Sequence, residues 1–159
     1  MLVGVISDTH GLLRPEALVA LAEAEQILHA GDVGDPRILD ALREVAPVTA
    51  IRGNVDVHGD CSLLPTTEAV ELGGRLFYLV HSARDLDIDP VAAEVNVVVS
   101  GHSHKPGIER KKGVMYLNPG SAGPRRFKLP VSVALVTIGE SGVEARIVEL
   151  EVPGTEASL

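Results

Sequence analysis

The sequence predicts an α/β domain that contains much β-sheet and few helices. Three observations carry this prediction. Short runs rich in Val and Ile recur along the chain, which is typical of buried strands. The first third alternates strand and helix patterns, which favours a parallel sheet with right-handed crossovers. The second half carries mostly strand patterns, and we expect part of it to pair antiparallel.

The first third contains two predicted helices between predicted strands. A helix is expected over residues 15–24, with Pro15 in its first turn, where a missing N–H costs nothing. A second helix is expected over residues 35–45, with Asp35 as its N-cap. The three strands are predicted at residues 2–6, 26–29 and 47–51.

The second half is predicted to be mainly strands. Gly73-Gly74 is a two-residue hairpin signal between two apolar runs. Residues 57–66 are expected to form a loop, and residues 89–94 a short helix. The strands are predicted at residues 68–72, 75–80, 95–100, 114–117, 131–138 and 143–150.

Length and cysteine content narrow the class of protein. A chain of 159 residues can bury a core, and its length favours one domain. We expect residues 1–150 to form that domain and residues 151–159 to be a polar tail. The lone Cys61 excludes a disulfide framework and a cysteine-rich metal site. With no recognisable targeting segment, it favours a cytoplasmic location.

Charge and aromatic content argue against two kinds of partner. A net charge of −8 and an aromatic content of 3% disfavour nucleic-acid binding, because that binding uses phosphate contacts and base stacking. No apolar run approaches the roughly 20 residues of a membrane-spanning helix, so no membrane partner is expected. A homo-oligomer stays open.

Side chains that can bind metal follow nearly every apolar run. The carboxyl ends of neighbouring strands in an α/β sheet share one rim, so these side chains are expected to converge. Each segment alone also fits an ordinary turn. His102 and His104 are the strongest signal, because two histidines at this spacing after a buried strand seldom serve packing. The seven candidates are Asp8, His10, Asp32, Asn54, His81, His102 and His104.

The types of ligand favour particular metals. Carboxylate, amide and imidazole groups without thiolate suit Mn, Fe, Ni, Co or Zn, and do not suit Ca or an Fe–S cluster. Seven ligands exceed one tetrahedral site and match two divalent ions that share a carboxylate. We favour Mn. Such a pair would keep the site positive, attract an anionic ester, and lower the pKa of a bridging water for phosphoryl displacement.

Taken in their order along the chain, these motifs resemble those of the calcineurin-like metallophosphoesterase superfamily, particularly its small single-domain phosphodiesterases from bacteria and archaea. The resemblance runs from residue 3 to about residue 126. It implies a four-layer α/β/β/α sandwich of two mixed sheets, and hydrolysis of a small phosphate ester. The matching segments are Asp8-Thr9-His10, Gly31-Asp32, Gly53-Asn54-Val55-Asp56, His81, Gly101-His102-Ser103-His104 and Asn118-Pro119-Gly120-Ser121.

The resemblance also implies two ligand sets that share Asp32 as the bridge. It implies that a hydroxide bridging the metals attacks phosphorus, with Asp32 and Asn54 at the reacting centre. One metal would take Asp8, His10, Asp32 and His104, and the other would take Asp32, Asn54, His81 and His102.

The family pattern is broken where a leaving group would need a proton. Many larger relatives have His after Gly-Asn, and Val55 stands there in this chain. Asp56 is the nearest candidate acid, although a hydrogen bond from Asp56 to a ligand histidine is favoured over that role. His58 is a further candidate for this acid, and its alternative interpretation is a free surface histidine. We expect weak activity on alkyl monoesters, because a missing acid costs about 10²–10⁴-fold in rate.

Three other features have two interpretations each. Arg84 stands in a segment that departs from the family's usual Gly-His, and a solvated surface arginine is favoured over a phosphate contact. Arg125 and Arg126 fit either a substrate contact or a surface turn. Residues 118–121 fit structural support slightly better than substrate contact. His29 is predicted to be a packed, hydrogen-bonded histidine.

Two other functions were weighed against a phosphodiesterase. The retromer subunit of eukaryotes resembles this fold and acts mainly through protein contacts, so a catalytically weak or inactive scaffold is the alternative. All seven ligand positions carry metal-competent side chains here, which favours an enzyme. A nuclease subunit is disfavoured, because the chain lacks the length and positive charge for that role.

Overall fold

The computed structural model describes residues 1–126 and 128–152. Ten strands and two α-helices are described there. In chain order they are β1 (Leu2–Ile6), α1 (Pro15–Ala20), β2 (Gln26–His29), α2 (Pro36–Arg43), β3 (Val48–Ala50), β4 (Thr67–Leu72), β5 (Arg75–Val80), β6 (Val97–Val99), β7 (Gly107–Lys111), β8 (Val114–Asn118), β9 (Ser132–Gly139) and β10 (Gly142–Glu149).

The strands form two five-stranded mixed sheets. The first has the order β10-β9-β1-β2-β3, in which β1, β2 and β3 are parallel and β9 and β10 run antiparallel. The second has the order β4-β5-β6-β8-β7, in which β5, β6 and β8 are parallel. The predicted parallel opening is therefore present, and the second half is partly antiparallel, as predicted, with a parallel group of β5, β6 and β8.

The apolar residues of the strands form the central layer of contact between the two sheets. Val3 and Val5 of β1 share one buried cluster with Phe77 and Leu79 of β5. The two sheets therefore pack face to face, and their hydrophobic burial is the main stabilising contribution to the sandwich.

The two helices cover the outer face of the first sheet. Asp35 caps α2 by accepting a hydrogen bond of 2.9 Å from the Arg37 N–H, as predicted. The first helix is shorter than the predicted 15–24 and ends at Ala20. The remaining residues of the predicted helix, 21–24, form tight turns instead, because the N–H groups of Ala22 and Ala24 bond to carbonyls three residues earlier.

The second sheet confirms the hairpin and corrects two expectations. Gly73 and Gly74 have φ values of 57° and 77°, as a two-residue turn between β4 and β5 requires. The short helix predicted at 89–94 is wrong: the chain makes one turn there, and Glu94 adopts φ 59° before the chain enters β6. The sequence prediction missed β7, an edge strand whose side chains are mostly exposed.

The outer face of the second sheet carries the fourth layer. Leu86 and Ile88 pack there against a buried cluster that includes Tyr78 and Val98. The sandwich of two mixed sheets that the resemblance implies is confirmed. Its fourth layer consists of a 3-10 turn and loops in the residues that the structure describes. Part of the predicted tail, residues 153–159, lies outside the described residues. No helix in the described ranges is long and apolar enough to cross a membrane.

Candidate metal centre

Six of the seven candidate ligands come together beyond the carboxyl ends of four strands. These strands lie in two parallel pairs, β1 with β2 and β5 with β6, so the ends of each pair lie side by side. The ligands follow their strands within a few residues and form two groups. The first group is Asp8, His10 and His104, and the second group is Asp32, His81 and His102.

The first group is compact and mostly buried. Asp8 Oδ1 lies 3.5 Å from His10 Nε2 and 3.3 Å from His104 Nε2. The rings of His10 and His104 have centroids 5.2 Å apart and are tilted by 46°. Asp8 is fully buried, and the side chain of His104 is only 4% exposed. One carboxylate oxygen and two imidazole nitrogens therefore face a common point.

The second group repeats this arrangement but is more open. Asp32 Oδ2 lies 3.1 Å from His81 Nε2. The His81 and His102 rings have centroids 5.2 Å apart and meet edge to face. Asp32 and His81 are buried, whereas His102 is exposed.

Asp32 lies between the two groups. Its Oδ2 is 3.4 Å from Nε2 of His10 in the first group, in addition to its contact with His81 in the second. Asp8 Oδ1 also lies 3.9 Å from His81 Nε2. The position of Asp32 is the one that a carboxylate shared by two cations would need.

The backbone adopts left-handed conformations at most of these ligands. Seven described non-glycine residues have positive φ, and five of them are candidate ligands. Asp and His tolerate this region better than most residues, and such conformations concentrate at functional sites. The five are Asp8 (55°), His10 (47°), Asp32 (58°), His102 (70°) and His104 (62°).

Two glycines are required by close approach to the carboxylates. A Cβ atom at Gly53 would collide with the carboxylate of Asp32. A Cβ atom at Gly101 would collide with the Ser7 hydroxyl and the carboxylate of Asp8. The glycines of the Gly-Asn and Gly-His motifs therefore leave room for the carboxylates of Asp32 and Asp8, respectively.

Hydrogen bonds fix one oxygen of each carboxylate and leave the other free. Asp8 Oδ2 accepts from the Ser7 hydroxyl at 2.6 Å and from the His102 N–H at 3.1 Å. Asp32 Oδ1 accepts from the Val55 N–H at 3.0 Å. The remaining oxygens, Oδ1 of Asp8 and Oδ2 of Asp32, are the ones that face the imidazoles.

The tautomer of His81 is set by its backbone contact. Its Nδ1 lies 2.7 Å from the carbonyl oxygen of Ala30, so Nδ1 carries the proton and donates it. Nε2 then presents a lone pair towards Asp32. This is the orientation in which a histidine binds a metal through Nε2.

Several buried polar atoms at this centre have no hydrogen-bond partner among the described residues. Buried polar atoms are nearly always bonded, so a concentration of unbonded ones requires an explanation. A cation bound by these atoms supplies it, and the oxygen and nitrogen donors suit a borderline divalent metal. The unbonded atoms that face the centre are Asp8 Oδ1, His10 Nε2 and His81 Nε2.

The charges at the centre shift one another's pKa values. Burial alone would raise the pKa of Asp8, yet the adjacent imidazoles of His10 and His104 and the Ser7 hydroxyl together hold it well below its usual range. Burial would likewise raise the pKa of Asp32, but the adjacent His81 ring and the Val55 N–H together lower it. The pKa of His10 is raised by Asp8; that of His81 is raised mainly by Asp32, against the effect of burial. The carboxylates are thus held ionised.

Asp56 contacts backbone groups and not a histidine. Its carboxylate is buried and accepts hydrogen bonds from the N–H groups of Val33 (3.1 Å), Gly34 (3.0 Å) and Gly53 (2.9 Å). These contacts join the loop after β2 to the loop after β3. The acid role considered for Asp56 stays a prediction, and His58 is an exposed residue of the same loop.

His29 is confirmed as a packed, hydrogen-bonded residue. It is fully buried, its Nδ1 accepts from the Gly31 N–H at 3.1 Å, and its Nε2 lies 3.1 Å from Thr9 Oγ1. The Thr9 hydroxyl donates to the Val33 carbonyl, so Nε2 must donate to Thr9. Burial lowers the pKa of His29 to about 4, in agreement with this neutral ring.

The segment at 118–121 supports the centre from behind. Asn118 Nδ2 donates to the carbonyl of Gly101 at 3.0 Å, and Ser121 Oγ donates to the carbonyl of Asp8 at 3.0 Å. The favoured interpretation of structural support agrees with both bonds. Arg126 is near enough to His10 to oppose the rise in its pKa. Arg125 has a buried Nε without a hydrogen-bond partner in the described part of the chain.

Two cavities open beside the second group. The first, which we name the acidic cavity, has a volume of about 440 Å³ and adjoins His81. Its polar lining includes Arg52, Asn54, Asp56, His81, Asp85 and Asp87. The second has a volume of about 380 Å³ and adjoins His102. Its polar lining is Ser82, Arg84, Ser100, His102, Ser103 and Asn118.

Sequence comparison identifies relatives over most of the chain. The profile of the calcineurin-like phosphoesterase superfamily domain matches residues 1–141. A probable metallophosphoesterase from Methanothermobacter thermautotrophicus is 34% identical, over 96% of this chain and 95% of its own length. The phosphodiesterase YfcE of Escherichia coli is 29% identical, over 82% of this chain and 84% of its own length.

Structural comparison finds the same fold in proteins of different kinds. A structure described as a novel archaeal phosphodiesterase has a TM-score of 0.77 at 21% identity, covering 93% of this chain and 100% of its own. Vps29 from Entamoeba histolytica, in complex with Zn²⁺, has a TM-score of 0.71 at 23% identity, covering 94% of this chain and 99% of its own. At these identities the likeness establishes the fold alone.

Proposed function

The chain belongs to the calcineurin-like phosphoesterase superfamily, and on that premise we propose that it is a phosphodiesterase dependent on two divalent metal ions. The observation that carries the proposal is the set of unbonded buried atoms on Asp8, His10 and His81, which face one region around Asp32. Structural packing alone gives no reason to bury these atoms without partners.

The ligand sets proposed from the structure follow the two groups. Asp8, His10 and His104 would hold one ion, His81, His102 and Asn54 would hold the other, and Asp32 would contact both. Mn²⁺ is the favoured ion, with Ni, Fe, Co and Zn as the other candidates, because the donors are oxygen and nitrogen only. When bound, two divalent ions would supply an activated water near neutral pH and would offset the charge of the phosphate ester.

The chain's own residues keep these ligands in place while the substrate reacts. The hydrogen bonds from Ser7 and Val55 fix the orientation of Asp8 and Asp32, and the bond to Ala30 fixes the ring of His81. Asn54 lines the acidic cavity together with His81, and we assign its amide oxygen to the second ion. Asp56 acts as a positioning residue through its three backbone contacts.

A diester is favoured over a monoester because cavities adjoin two different ligands of the second group. The acidic cavity adjoins His81, and the cavity lined by Arg84 adjoins His102. A phosphodiester has two ester arms, and each arm can occupy one cavity. A monoester would leave one of these cavities unused. The named relative YfcE, a phosphodiesterase, agrees with this choice.

The direct test is hydrolysis of bis(p-nitrophenyl) phosphate by the purified protein. We expect turnover with Mn²⁺, complete loss after dialysis against a chelator, and recovery when Mn²⁺ is restored. Substitution of Mn²⁺ by each of the other four candidate ions ranks them. Absence of turnover with all five ions would refute the proposed activity.

A protein-interaction scaffold is the second candidate, catalytically weak or inactive. The likeness to Vps29 favours it, as do two exposed apolar side chains: Val57, which lines the acidic cavity and is 61% exposed, and Leu63, which is 82% exposed. The Zn²⁺ in that Vps29 structure means that metal binding alone does not distinguish the two candidates. Metal-dependent turnover does.

Further properties stay proposals that rest on the sequence. We propose that residues 1–150 form one domain, because their strands build one pair of sheets. A cytoplasmic location and a small-molecule substrate, rather than nucleic acid or membrane, follow from the lone Cys61 and the net charge of −8. A homo-oligomer remains open, and gel filtration with light scattering decides it.

A further inference from the structure

The cavity beside His102 continues away from the metal centre into a second one. The first has a volume of about 380 Å³ and the second about 330 Å³. Both are lined by Ala83, Ser100 and Asn118, so they form one continuous surface depression. We name this depression the cationic groove. Its outer part is lined by Lys105, Glu109, Lys111 and Tyr116.

The charged side chains of the groove are mostly positive. Arg84, Lys105 and Lys111 contribute three cations against the single carboxylate of Glu109. Lys111 is engaged with Glu109 at 3.4 Å and with the Tyr116 ring at 5.2 Å from its centroid. Among the described residues, neither Arg84 nor Lys105 forms an ion pair through its side chain. The protein carries −8 overall, so this local excess of positive charge is against the general trend.

The inner part of the groove also holds a hydroxyl that is free to donate. Ser103 Oγ accepts hydrogen bonds from the Lys105 N–H at 3.2 Å and from Asn118 Nδ2 at 3.1 Å. Because both bonds use its lone pairs, the hydroxyl proton of Ser103 remains available to a ligand. Asn118 is itself fixed, since its amide also contacts Gly101 and Gly120. Arg84 and Ser103 therefore offer donors on the walls of the same cavity.

The acidic cavity on the other side has the opposite character. Asp56, Asp85 and Asp87 outnumber the single cation Arg52 there. Asp87 is engaged with the Tyr78 hydroxyl at 2.8 Å, and Asp56 is bound by backbone N–H groups. An anionic group would be repelled from this cavity and attracted to the groove. The two arms of a diester are thus distinguished by charge.

We propose that the substrate is a phosphodiester with a second phosphate group on one arm, and that the cationic groove binds this phosphate through Arg84, Lys105 and the Ser103 hydroxyl. This inference rests on the proposed phosphodiesterase activity, since it places the scissile phosphate at the metal centre. Charge-assisted hydrogen bonds to phosphate are stronger than neutral ones, which makes this groove a determinant of substrate choice.

The test compares two substrates that differ only in the distal phosphate. They are the p-nitrophenyl ester of thymidine 5′-phosphate and the same ester with an added 3′-phosphate, both hydrolysed with Mn²⁺. We expect the 3′-phosphate to raise kcat/KM by about tenfold or more, mainly through a lower KM. Calorimetry gives a readout without turnover: thymidine 3′,5′-bisphosphate should bind more tightly than thymidine 5′-phosphate by a similar factor.

Variants assign the preference to the groove. Arg84→Ala should remove most of the advantage of the 3′-phosphate, so that the kcat/KM values of the two esters become nearly equal. The matched control is Arg146→Ala, because Arg146 is an exposed arginine on β10 that lines neither part of the groove. It should retain the full preference.

The outcomes separate this inference from the activity on which it rests. Hydrolysis of both esters with equal kcat/KM, or equal binding of the two nucleotides, would overturn the inference and leave the phosphodiesterase intact. An Arg84→Ala variant that keeps the preference would overturn the role of the groove. Absence of hydrolysis of both esters by the unmodified protein would overturn the proposed function, and the inference with it.

Discussion

The two ligand groups of the candidate metal centre differ in what surrounds them. The first group, Asp8, His10 and His104, lines neither the acidic cavity nor the cationic groove. In the second group, His81 lines the acidic cavity and His102 lines the groove. The two groups have similar geometry but different access to solvent-filled space.

This difference indicates a division of roles within one site. The first group is flanked by the Ser7 hydroxyl and the loop around Gly101, so under the proposed function it would anchor an ion. The second group faces the space in which the arms of a substrate can lie. Asp32 contacts both ligand groups, so a substitution of Asp32 should affect the two groups alike.

The substitution Asp32→Asn is expected to have the largest effect. An amide cannot provide the charge that two cations share, so both ions should be lost. The rate with bis(p-nitrophenyl) phosphate should fall by about 10³-fold or more, because metal ions supply several kcal/mol of transition-state stabilisation. Plasma mass spectrometry measures the metal content.

Asp40→Asn is the matched control for this substitution. Asp40 is an exposed residue of α2 that pairs with Arg43 at 3.1 Å, far from the candidate ligands in the fold. It should keep both ions and full activity. Retention of two ions per chain by Asp32→Asn would contradict the bridging role.

His29 lies beneath both groups, and its burial should make stability depend on pH. Its pKa is about 4 in the folded protein and about 6.5 when exposed, so the unfolded chain binds the extra proton between these values. The metal-free protein should lose up to about 3 kcal/mol of stability as pH falls from 6.5 to 4. Denaturant titrations across this range measure the loss.

Above about pH 5 the other titratable groups of the centre do not reduce stability as the pH falls. His10 and His81 have raised pKa values, so their protonation favours the folded state, and Asp8 and Asp32, with lowered pKa values, reduce stability only where the unfolded carboxylates protonate, below about pH 5. In His29→Gln the slope of stability against pH between 6.5 and 5 should therefore flatten. An unchanged slope in that variant would show that other groups cause it.

The substitution Gly101→Ala tests the enclosure of the first group alone. The new Cβ would collide with Ser7 and Asp8, so the Asp8 carboxylate must move. We expect a loss of about 1–3 kcal/mol in stability from overpacking and a 10- to 100-fold weaker affinity for one ion. Gly107→Ala is the control, since no atom lies within 4 Å of a Cβ there. Equal behaviour of the two variants would rule out the enclosure.

The smallest expected effect is that of Asp56→Asn. An amide places a donor against the N–H groups of Val33, Gly34 or Gly53, which should cost about 1–2 kcal/mol in stability. Activity should fall by the same factor for aryl and alkyl diesters, as a positioning role requires. A selective loss of about 10²–10⁴-fold for alkyl diesters would instead identify Asp56 as the general acid.

Much of the fold could be predicted because its elements follow simple periodic patterns. Runs of Val, Ile and Leu defined β1, β2 and β5, and paired glycines defined the hairpin. The edge strand β7 was missed because its charged, exposed residues lack an apolar face. The short helix at 89–94 failed because tertiary packing requires the chain to enter β6 after a single turn.

The site was predictable in composition but not in its surroundings. The convergence of Asp8, Asp32 and the histidines followed from their positions after neighbouring strands. The roles of Asp56 and Arg84 did not, because they depend on contacts between loops that are remote in sequence. The sequence favoured a solvated surface for Arg84, and the residue is exposed, but only the structure shows that it also lines a cavity beside His102.

The central claim is that two metal ions share Asp32, and anomalous diffraction from crystals grown with Mn²⁺ tests it most directly. We expect two Mn²⁺ peaks about 3.5–4 Å apart, with the Asp32 carboxylate bound to both ions and the two ligand groups on opposite sides. A single Mn²⁺ peak, or a pair of ions of which only one contacts Asp32, would contradict the account.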